Sequence, residues 1–220
     1  MTNPGRVLVI NPNSSLAVTA AIDAAMQPLR VAGGPEILVD RLACGPLSIG
    51  TQHDVDSVVM PLAARVSNDP ADAFVLACFS DPGLHTVREA ARGRPVMGIS
   101  EWGLLRALSL GERFGIIALS SNSVQRQQRL VRQMGLHDRY AGSCPIDATA
   151  EDTAGEAIGA RLTQAAQTLV RSHGADVVVL GCAGMAGHRR VIADAIGRSV
   201  IEPTQQAVIA AMGAVLLRDA

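Results

Sequence analysis

Two cysteines, Cys78 and Cys182, have the residue type and the spacing that best suit chemistry in this chain. Each follows a short apolar run directly, and the two lie 104 residues apart. Two thiols on opposite sides of a carbon acid can act as a two-base pair, in which one thiolate removes a proton and the other thiol returns a proton to the opposite face. The pair therefore predicts a proton-transfer enzyme, provided that the fold brings both thiols to one cleft.

The sequence around these cysteines is repeated. Three pairs of segments match at offsets of 104 to 108 residues: 7–15 with 115–123, 74–78 with 178–182, and 94–97 with 198–201. Three matches in nearly one register indicate two similar structural units. If a pseudo-twofold axis relates the units, Cys78 and Cys182 face each other across a single cleft.

Short runs rich in Val, Ile and Leu alternate with helical patterns, which predicts buried parallel strands joined by helices. The predicted strands are 6–11, 36–41, 73–78, 95–99, 113–119, 139–146, 176–181 and 199–201. The predicted helices are 15–29, 54–67, 82–91, 101–110, 124–134, 153–172, 185–196 and 204–217, and Asp81 is expected to cap the third of them. We expect an α/β fold of two similar lobes, each a roughly four-stranded parallel sheet flanked by helices. The first lobe comprises 1–96 plus 205–220, and the second comprises 97–204.

Composition excludes several classes of protein. All 19 basic residues are arginine, so no lysine can form a Schiff base with pyridoxal phosphate or a substrate carbonyl. The net charge of −1 and the aromatic content of 2% argue against partners that are nucleic acids or membranes. The five histidines lack ligand spacing, so we expect neither a metal nor a cofactor. Four dispersed cysteines without a C-x-x-C pair favour free thiols and a cytoplasmic location.

Ligands of open parallel sheets bind beyond the carboxyl ends of the strands. The expected substrate-binding residues at these ends are Asn13, Phe79, Ser80, Ser121, Asn122, Ala183 and Gly184. The strand ends carry no basic residue, which favours an uncharged ring over a free carboxylate. Arg126 and Arg129 are interpreted as a solvated helix face, and the segment 50–53, with His53, as part of the pocket for the substrate's side chain. Helix N-termini are expected to lower the pKa of both thiols.

The segments 10–15, 77–84 and 180–185 closely resemble the cofactor-independent aspartate/glutamate/hydantoin racemase superfamily, and within it the hydantoin racemase branch, which includes allantoin racemases. Agreement at 45–46, 98–101 and 201–203 extends the resemblance over essentially the whole chain. The resemblance implies two flavodoxin-like lobes, paired catalytic cysteines at Cys78 and Cys182, and racemisation of 5-monosubstituted hydantoins without cofactor or metal. We also expect a homo-oligomer that acts on a small molecule.

The chain departs from amino-acid racemases of the superfamily, which usually carry Cys-Asn-Thr and Cys-Thr at the two cysteine motifs. Phe79-Ser80 and Ala183-Gly184 follow the cysteines here. The alternatives are an allantoin racemase, an aspartate or glutamate racemase, an arylmalonate decarboxylase-like enzyme and a non-enzymatic binding protein for a small molecule. A decarboxylase of that type needs one catalytic cysteine, and a binding protein has no reason to carry a thiol on each side of its cleft.

Overall fold

Two parallel four-stranded sheets form the framework of the protein. The computed structural model describes residues 5–218, with residue 154 described by its backbone alone. The first sheet has the order β2-β1-β3-β4, with β1 (Arg6–Asn11), β2 (Glu36–Arg41), β3 (Ala73–Leu76) and β4 (Val96–Gly98). The second sheet has the equivalent order β6-β5-β7-β8, with β5 (Phe114–Ala118), β6 (Tyr140–Pro145), β7 (Val177–Leu180) and β8 (Ser199–Ile201). The prediction of two similar α/β lobes is confirmed.

Within residues 5–218, α-helices connect and cover these strands. They are α1 (Leu16–Met26), α2 (Gln52–Ser57), α3 (Val59–Asn68), α4 (Leu84–Ala90), α5 (Ile99–Leu108), α6 (Ser121–Gln133), α7 (Gly159–Arg171), α8 (Arg189–Ile196) and α9 (Pro203–Leu216). One helix was predicted where α2 and α3 occur. Pro61 has no N–H to donate to the carbonyl four residues earlier, so it lies in the first turn of a new helix, α3, rather than inside a continuous one.

The two central strands of each sheet, β1 and β3 in the first and β5 and β7 in the second, are apolar on both sides because helices cover both faces of the sheet. In β1, Val7 and Val9 pack into the core shared with α1 and α9, whereas Leu8 and Ile10 pack into the cluster under α3 and α4. All four side chains are nearly or fully buried. Buried parallel strands of this kind appear in the sequence as continuous apolar runs, and for this reason their positions were predicted well.

The last helix, α9, returns to the first lobe and packs against β1, β3 and β4, and also against α5. Strand β4 continues to Gly98, which pairs with Leu76 of β3, so the predicted lobe boundary after residue 96 falls inside a strand of the first sheet. Residues 1–4 and 219–220 of the predicted first lobe lie outside the described residues. The remaining lobe boundaries stay predictions.

Asp81 caps a different helix from the one expected. The chain turns after Cys78, and α4 begins only at Leu84, after Gly83 in the left-handed region (φ +61°). The Asp81 carboxylate accepts hydrogen bonds from the backbone N–H groups of Ser100 (3.0 Å) and Glu101 (2.9 Å) in the first turn of α5. The prediction of a helix starting at Pro82 was wrong, because the turn directs this carboxylate towards the neighbouring strand-to-helix connection.

Candidate active site

A cavity lies where the carboxyl ends of β1, β3, β5 and β7 meet between the two lobes. The first lobe contributes Asn13, Val18, Ile49, Ala77, Cys78, Phe79 and Ser80, and the second contributes Leu119, Ser123, Arg126, Gln127, Ala150, Gly181, Cys182 and Ala183. Its volume of about 30 Å³ holds one or two water molecules. The two predicted cysteines therefore line one cavity, and each comes from its own lobe.

Cys78 follows β3 and is half-buried, with its thiol enclosed by the two lobes. Burial raises the pKa of the Cys78 thiol to about 12, and the charges of Cys182 and Asp81 act in the same direction. The backbone N–H of Ser80 and the guanidinium of Arg126 oppose this rise, because both stabilise a thiolate. The desolvation penalty exceeds these two contributions, so the neutral thiol is the favoured form of Cys78.

Cys182 follows β7 and is buried, with 8% of its surface exposed. The Thr153 hydroxyl donates a hydrogen bond to the Ala150 carbonyl (2.6 Å) and lies 3.8 Å from the Cys182 sulfur. Either group can donate in the contact between Cys182 and Thr153. Burial raises the pKa of Cys182 and the charge of Glu202 adds to the rise, whereas the N–H of Gly184 and the hydrogen bond with Thr153 oppose it.

The expectation that both thiols have a lowered pKa was wrong, because burial raises both values. Cys78 precedes a turn rather than an α-helix, so no helix dipole is directed at its sulfur. Cys182 caps a 3₁₀ helix, Ala183–His188, and receives one backbone N–H. One N–H per sulfur does not compensate for removing a thiolate from water.

Asn13 lines the cavity in the turn after β1. Its Oδ1 accepts hydrogen bonds from Asn11 Nδ2 (2.9 Å) and from the Ser15 backbone N–H (3.0 Å), which fixes the orientation of the amide. Within residues 5–218, no acceptor lies within hydrogen-bonding distance of Asn13 Nδ2. Its two N–H groups are therefore available to a carbonyl oxygen of a bound molecule.

Arg126 also reaches the cavity, which the sequence interpretation missed. It is half-buried on α6, and it donates to Ser80 Oγ (3.2 Å), the Gly50 carbonyl (3.1 Å) and Ser123 Oγ (3.2 Å). The interpretation of Arg126 as part of a solvated helix face was wrong, although Arg129 is exposed as expected. The cavity thus carries a cation, and the argument that a cleft without basic residues favours an uncharged ring no longer holds.

Three predicted binding residues and His53 do not line the cavity. Ser121 and Asn122 are exposed at the start of α6, and His53 is exposed on α2. Gly184 lies behind Cys182, where a Cβ would come within 2.3 Å of Thr153 Oγ1, so glycine allows Thr153 to approach the thiol. Of the expected binding residues, Asn13, Phe79, Ser80 and Ala183 do line it.

Ser123, Arg126 and Gln127 occupy the cavity face of α6, where Ser121 and Asn122 were expected. Gln127 is almost fully buried, and its Oε1 accepts a hydrogen bond from Ser143 (2.6 Å). The signal for these residues was present in the sequence as polar side chains at i, i+3 and i+4, which share one helix face. Because most of the surrounding residues of α6 are also polar, this polar face could not be distinguished in the sequence.

A buried carboxyl group stands behind each cysteine. Asp81 caps α5 in the first lobe, and Glu202 caps α9 in the second by accepting from the N–H groups of Thr204 (3.1 Å) and Gln205 (2.6 Å). Burial raises the pKa of Asp81 to about 7 and also raises the pKa of Glu202. These carboxyls join the strand ends to the helices that flank the site, without lining the cavity themselves.

Among the described residues, no group of three or more His, Cys, Asp or Glu side chains could hold a metal ion. Over the same residues, no helix is both long and apolar enough to cross a lipid bilayer. The four cysteines are free thiols.

Comparison with known proteins identifies the family and a solved structure with the same fold. Residues 7–211 match the family model described as Asp/Glu/Hydantoin racemase. The chain is 36% identical to a hydantoin racemase of Paenarthrobacter aurescens, over 92% of this chain and 87% of the relative, and 30% identical to a hydantoin racemase of a Pseudomonas species, over 90% and 80%. It superposes on an allantoin racemase from Klebsiella pneumoniae with a TM-score of 0.91, 29% identity, and coverage of 97% of this chain and 89% of that one.

Proposed function

Because the chain belongs to the Asp/Glu/hydantoin racemase family and is a racemase, we propose that its substrates are 5-monosubstituted hydantoins. In this proposal Cys78 and Cys182 exchange the C5 proton from opposite faces, without a cofactor or metal. The observation that carries the proposal is that the two thiols line one cavity from opposite lobes. A binding protein would gain nothing from that arrangement.

The proposed reaction transfers two protons. One cysteine, as its thiolate, removes the C5 proton and becomes a thiol, and the electron pair left on C5 spreads onto the adjacent carbonyl as an enolate. The other thiol then donates its proton to the opposite face of C5 and becomes a thiolate. Atoms and charge balance, and the reverse reaction uses the same two groups in exchanged roles.

Because the pKa values of both thiols are raised, one thiol must lose its proton before catalysis. The backbone N–H of Ser80 next to Cys78 and that of Gly184 next to Cys182 support whichever sulfur carries the charge. We expect Cys78 to be the thiolate that Arg126 also stabilises. Desolvation makes such a thiolate a stronger base than one in water, which suits removal of a weakly acidic carbon-bound proton.

The enolate oxygen needs hydrogen-bond donors, and the cavity offers several. The Nδ2 of Asn13 is available, and the Ser80 hydroxyl keeps its hydrogen while it accepts from Arg126. We propose that these groups, with backbone N–H groups near Phe79 and Ala183, hold the ring and the developing charge. Ser123 replaces Ser121 and Asn122 in this proposal, because it lines the cavity and they do not.

Relatives named hydantoin racemase support the substrate class, and the structural likeness to an allantoin racemase supports allantoin as a second candidate. Allantoin is itself a hydantoin that carries a ureido group at C5, so both candidates undergo the same proton transfer. The choice between them concerns only the substituent.

Polarimetry on a substrate panel tests the proposal. The panel contains 5-isobutylhydantoin, 5-benzylhydantoin, allantoin, aspartate and glutamate, each as one enantiomer, with and without EDTA. We expect racemisation of hydantoins, unaffected by EDTA, and loss of activity with iodoacetamide that bound substrate slows. Racemisation of the amino acids alone, or activity that chelation abolishes and zinc restores, would overturn the proposal.

A further inference from the structure

Arg126 is the one charged side chain among the residues that line the cavity, and its guanidinium is incompletely used. An arginine has five N–H donors, and Arg126 makes three hydrogen bonds, all to uncharged oxygen atoms. Within residues 5–218, no carboxylate lies within ion-pair distance of it. A half-buried cation without an anionic partner is costly to keep for stability alone.

Arg94 shows what an arginine with a purely structural role looks like in this chain. It is also half-buried and has no carboxylate partner, but it donates to four backbone carbonyls, of Val66, Asp69, Ala71 and Ala91, and its guanidinium lies over the ring of Phe74. Those contacts use four of its five N–H groups. Arg126 leaves two N–H groups unused, and it lies at a cavity beside a proposed catalytic cysteine.

Asp54 is the carboxylate with an electrostatic effect on Arg126, but its hydrogen bonds are made to other groups. Asp54 accepts from the backbone N–H groups of Gly50 (3.1 Å) and Thr51 (2.8 Å) at the start of α2. It therefore serves as a helix cap, and its charge does not form an ion pair with the guanidinium.

The position of Arg126 connects it to substrate entry. Its contacts join α6 of the second lobe to Gly50 and Ser80 of the first, across a cavity that is too small for a hydantoin ring. A substrate can enter only if side chains around the cavity move. The three hydrogen bonds of Arg126 go to neutral acceptors, and a carboxylate that replaced them would bind more strongly, because charge-assisted and bidentate pairs exceed neutral ones.

We infer that Arg126 determines substrate specificity by binding an anionic substituent on C5, so that the preferred substrates are hydantoins whose side chain ends in a carboxylate. The inference rests on the proposed hydantoin racemase function and narrows its substrate class. In this inference the carboxylate of a 5-carboxymethyl or 5-carboxyethyl group contacts the guanidinium while C5 lies between the thiols. The two unused N–H groups and the charge provide the recognition.

The wild-type enzyme alone can test this inference. The neutral match for 5-carboxymethylhydantoin is 5-carbamoylmethylhydantoin, which has the same shape without the charge. We expect kcat/KM to be about 30- to 100-fold higher for the carboxylate, since a hydrogen bond to a charged group is worth more than one to a neutral group. Equal values, or a preference for the carboxamide, would overturn the inference.

Variants then assign the preference to Arg126. Arg126→Met keeps most of the side-chain length. Because Arg126 also stabilises the proposed Cys78 thiolate, we expect kcat to fall by a similar factor on both substrates, and the loss in kcat/KM on the carboxylate to exceed that on 5-isobutylhydantoin by about 30- to 100-fold, mainly through KM. Arg126→Lys should recover part of the loss, because it restores the charge without the planar fork. Arg129→Met, an exposed neighbour on the same helix whose guanidinium donates to Gln52, is the matched control and should behave as wild type.

The outcomes separate this inference from the proposed function. If Arg126→Met loses the same factor in kcat/KM on both substrates, the guanidinium serves only the Cys78 thiolate and the specificity inference is wrong. If the wild-type enzyme racemises 5-isobutylhydantoin and shows no preference for the carboxylate, the proposed function stands and the inference fails. If the wild-type enzyme racemises no hydantoin at all, the proposed function fails as well.

Discussion

The two lobes have the same sheet order, yet they assemble their halves of the site from different side chains. Cys78 and Cys182 occupy equivalent places after β3 and β7, and each sulfur has the backbone N–H of the residue two positions later beside it. The carboxyl group behind each thiol, however, comes from a different point of the repeat. The first lobe uses Asp81 from the turn after the cysteine, and the second uses Glu202 at the end of β8.

The two arrangements are mutually exclusive at one position. Gly98 is the first-lobe counterpart of Glu202, and a Cβ there would lie 2.4 Å from Cγ of Asp81. Met185 is the second-lobe counterpart of Asp81. Each lobe therefore places one carboxyl in the same space by a different route, which shows that the space and its two N–H donors define the half-site. The identity of the side chain that fills it is secondary.

The surroundings of the thiols also differ in chemistry. Cys78 has a guanidinium, that of Arg126, within electrostatic reach, whereas the polar side chain beside Cys182 is the neutral hydroxyl of Thr153, 3.8 Å away. A cation stabilises a thiolate more strongly than a neutral hydroxyl does. The comparison predicts that Cys78 begins the cycle as the base and Cys182 as the acid for one enantiomer.

The largest expected effect comes from removing either thiol. Cys78→Ser and Cys182→Ser should each lower racemisation in both directions by at least about a thousandfold, because serine is too weak an acid to supply an alkoxide near neutral pH. Polarimetry from each pure enantiomer measures the loss. Cys144→Ser, which changes a half-buried thiol outside the cavity, is the control and should keep its activity. Substantial racemisation by Cys78→Ser or Cys182→Ser would contradict the claim that the two half-sites contribute equally to the reaction.

A smaller effect is expected at Asn13, whose Oδ1 and Nδ2 have separate roles. Asn13→Asp keeps the acceptor for Ser15 and removes the donors, so we expect kcat to fall by about ten- to a thousandfold while the melting temperature changes little. Asn13→Ala should lose the turn hydrogen bonds as well and melt at a lower temperature. Unchanged kcat in both variants would exclude Asn13 from binding the enolate.

The pH dependence of kcat/KM should reflect the raised thiol pKa values. With the pKa of Cys78 raised to about 12, the thiolate fraction grows about tenfold per pH unit below that value, so a plot of log kcat/KM against pH should rise with a slope near one from pH 7 to 10. The spontaneous racemisation of the substrate at each pH is subtracted. A profile that is flat between pH 7 and 9 would mean that the thiolate is already formed at neutral pH.

The smallest expected effect concerns stability through Asp81. The pKa of Asp81 is raised to about 7 in the folded protein, above its unfolded value near 3.8, so the folded state binds the proton more tightly. The free energy of unfolding should therefore decrease as pH rises from 4 to 7, by a few kcal/mol at most. Asp81→Asn should flatten this decrease in urea titrations, whereas Asp138→Asn, an exposed change, should not. The same decrease in Asp81→Asn would assign the effect to other groups, such as Glu202.

The sequence predicted the framework better than the contents of the site. Strands β1, β2 and β8 have the predicted bounds. The apolar run of β1 is buried on both faces, whereas β2 is a partly exposed edge strand whose apolar run is bounded by charged residues. The pair Cys78 and Cys182 was found through the internal repeat, which the two sheets share. Family membership was likewise predicted from the cysteine motifs.

The side chains that cross between the lobes could not be predicted in the same way. Arg126 donates hydrogen bonds to Gly50 and Ser80, which are far from it in the sequence. The residue pattern of α6 alone does not indicate contacts with such distant segments. Asp81 looked like a local cap because Pro82 follows it, but its N–H partners come from a neighbouring connection. The pKa values were misjudged because they depend on enclosure by both lobes, which is a property of the assembled cavity.

Deuterium exchange by the single-cysteine variants tests the central claim most directly. In a two-base enzyme each thiolate faces one enantiomer, so in deuterated water Cys78→Ser should introduce deuterium at C5 of one enantiomer with retained configuration, and Cys182→Ser should do so with the other. NMR of each enantiomer, with chiral chromatography for configuration, measures both quantities. Exchange of the same enantiomer by both variants would contradict the claim that Cys78 and Cys182 act from opposite faces of one substrate.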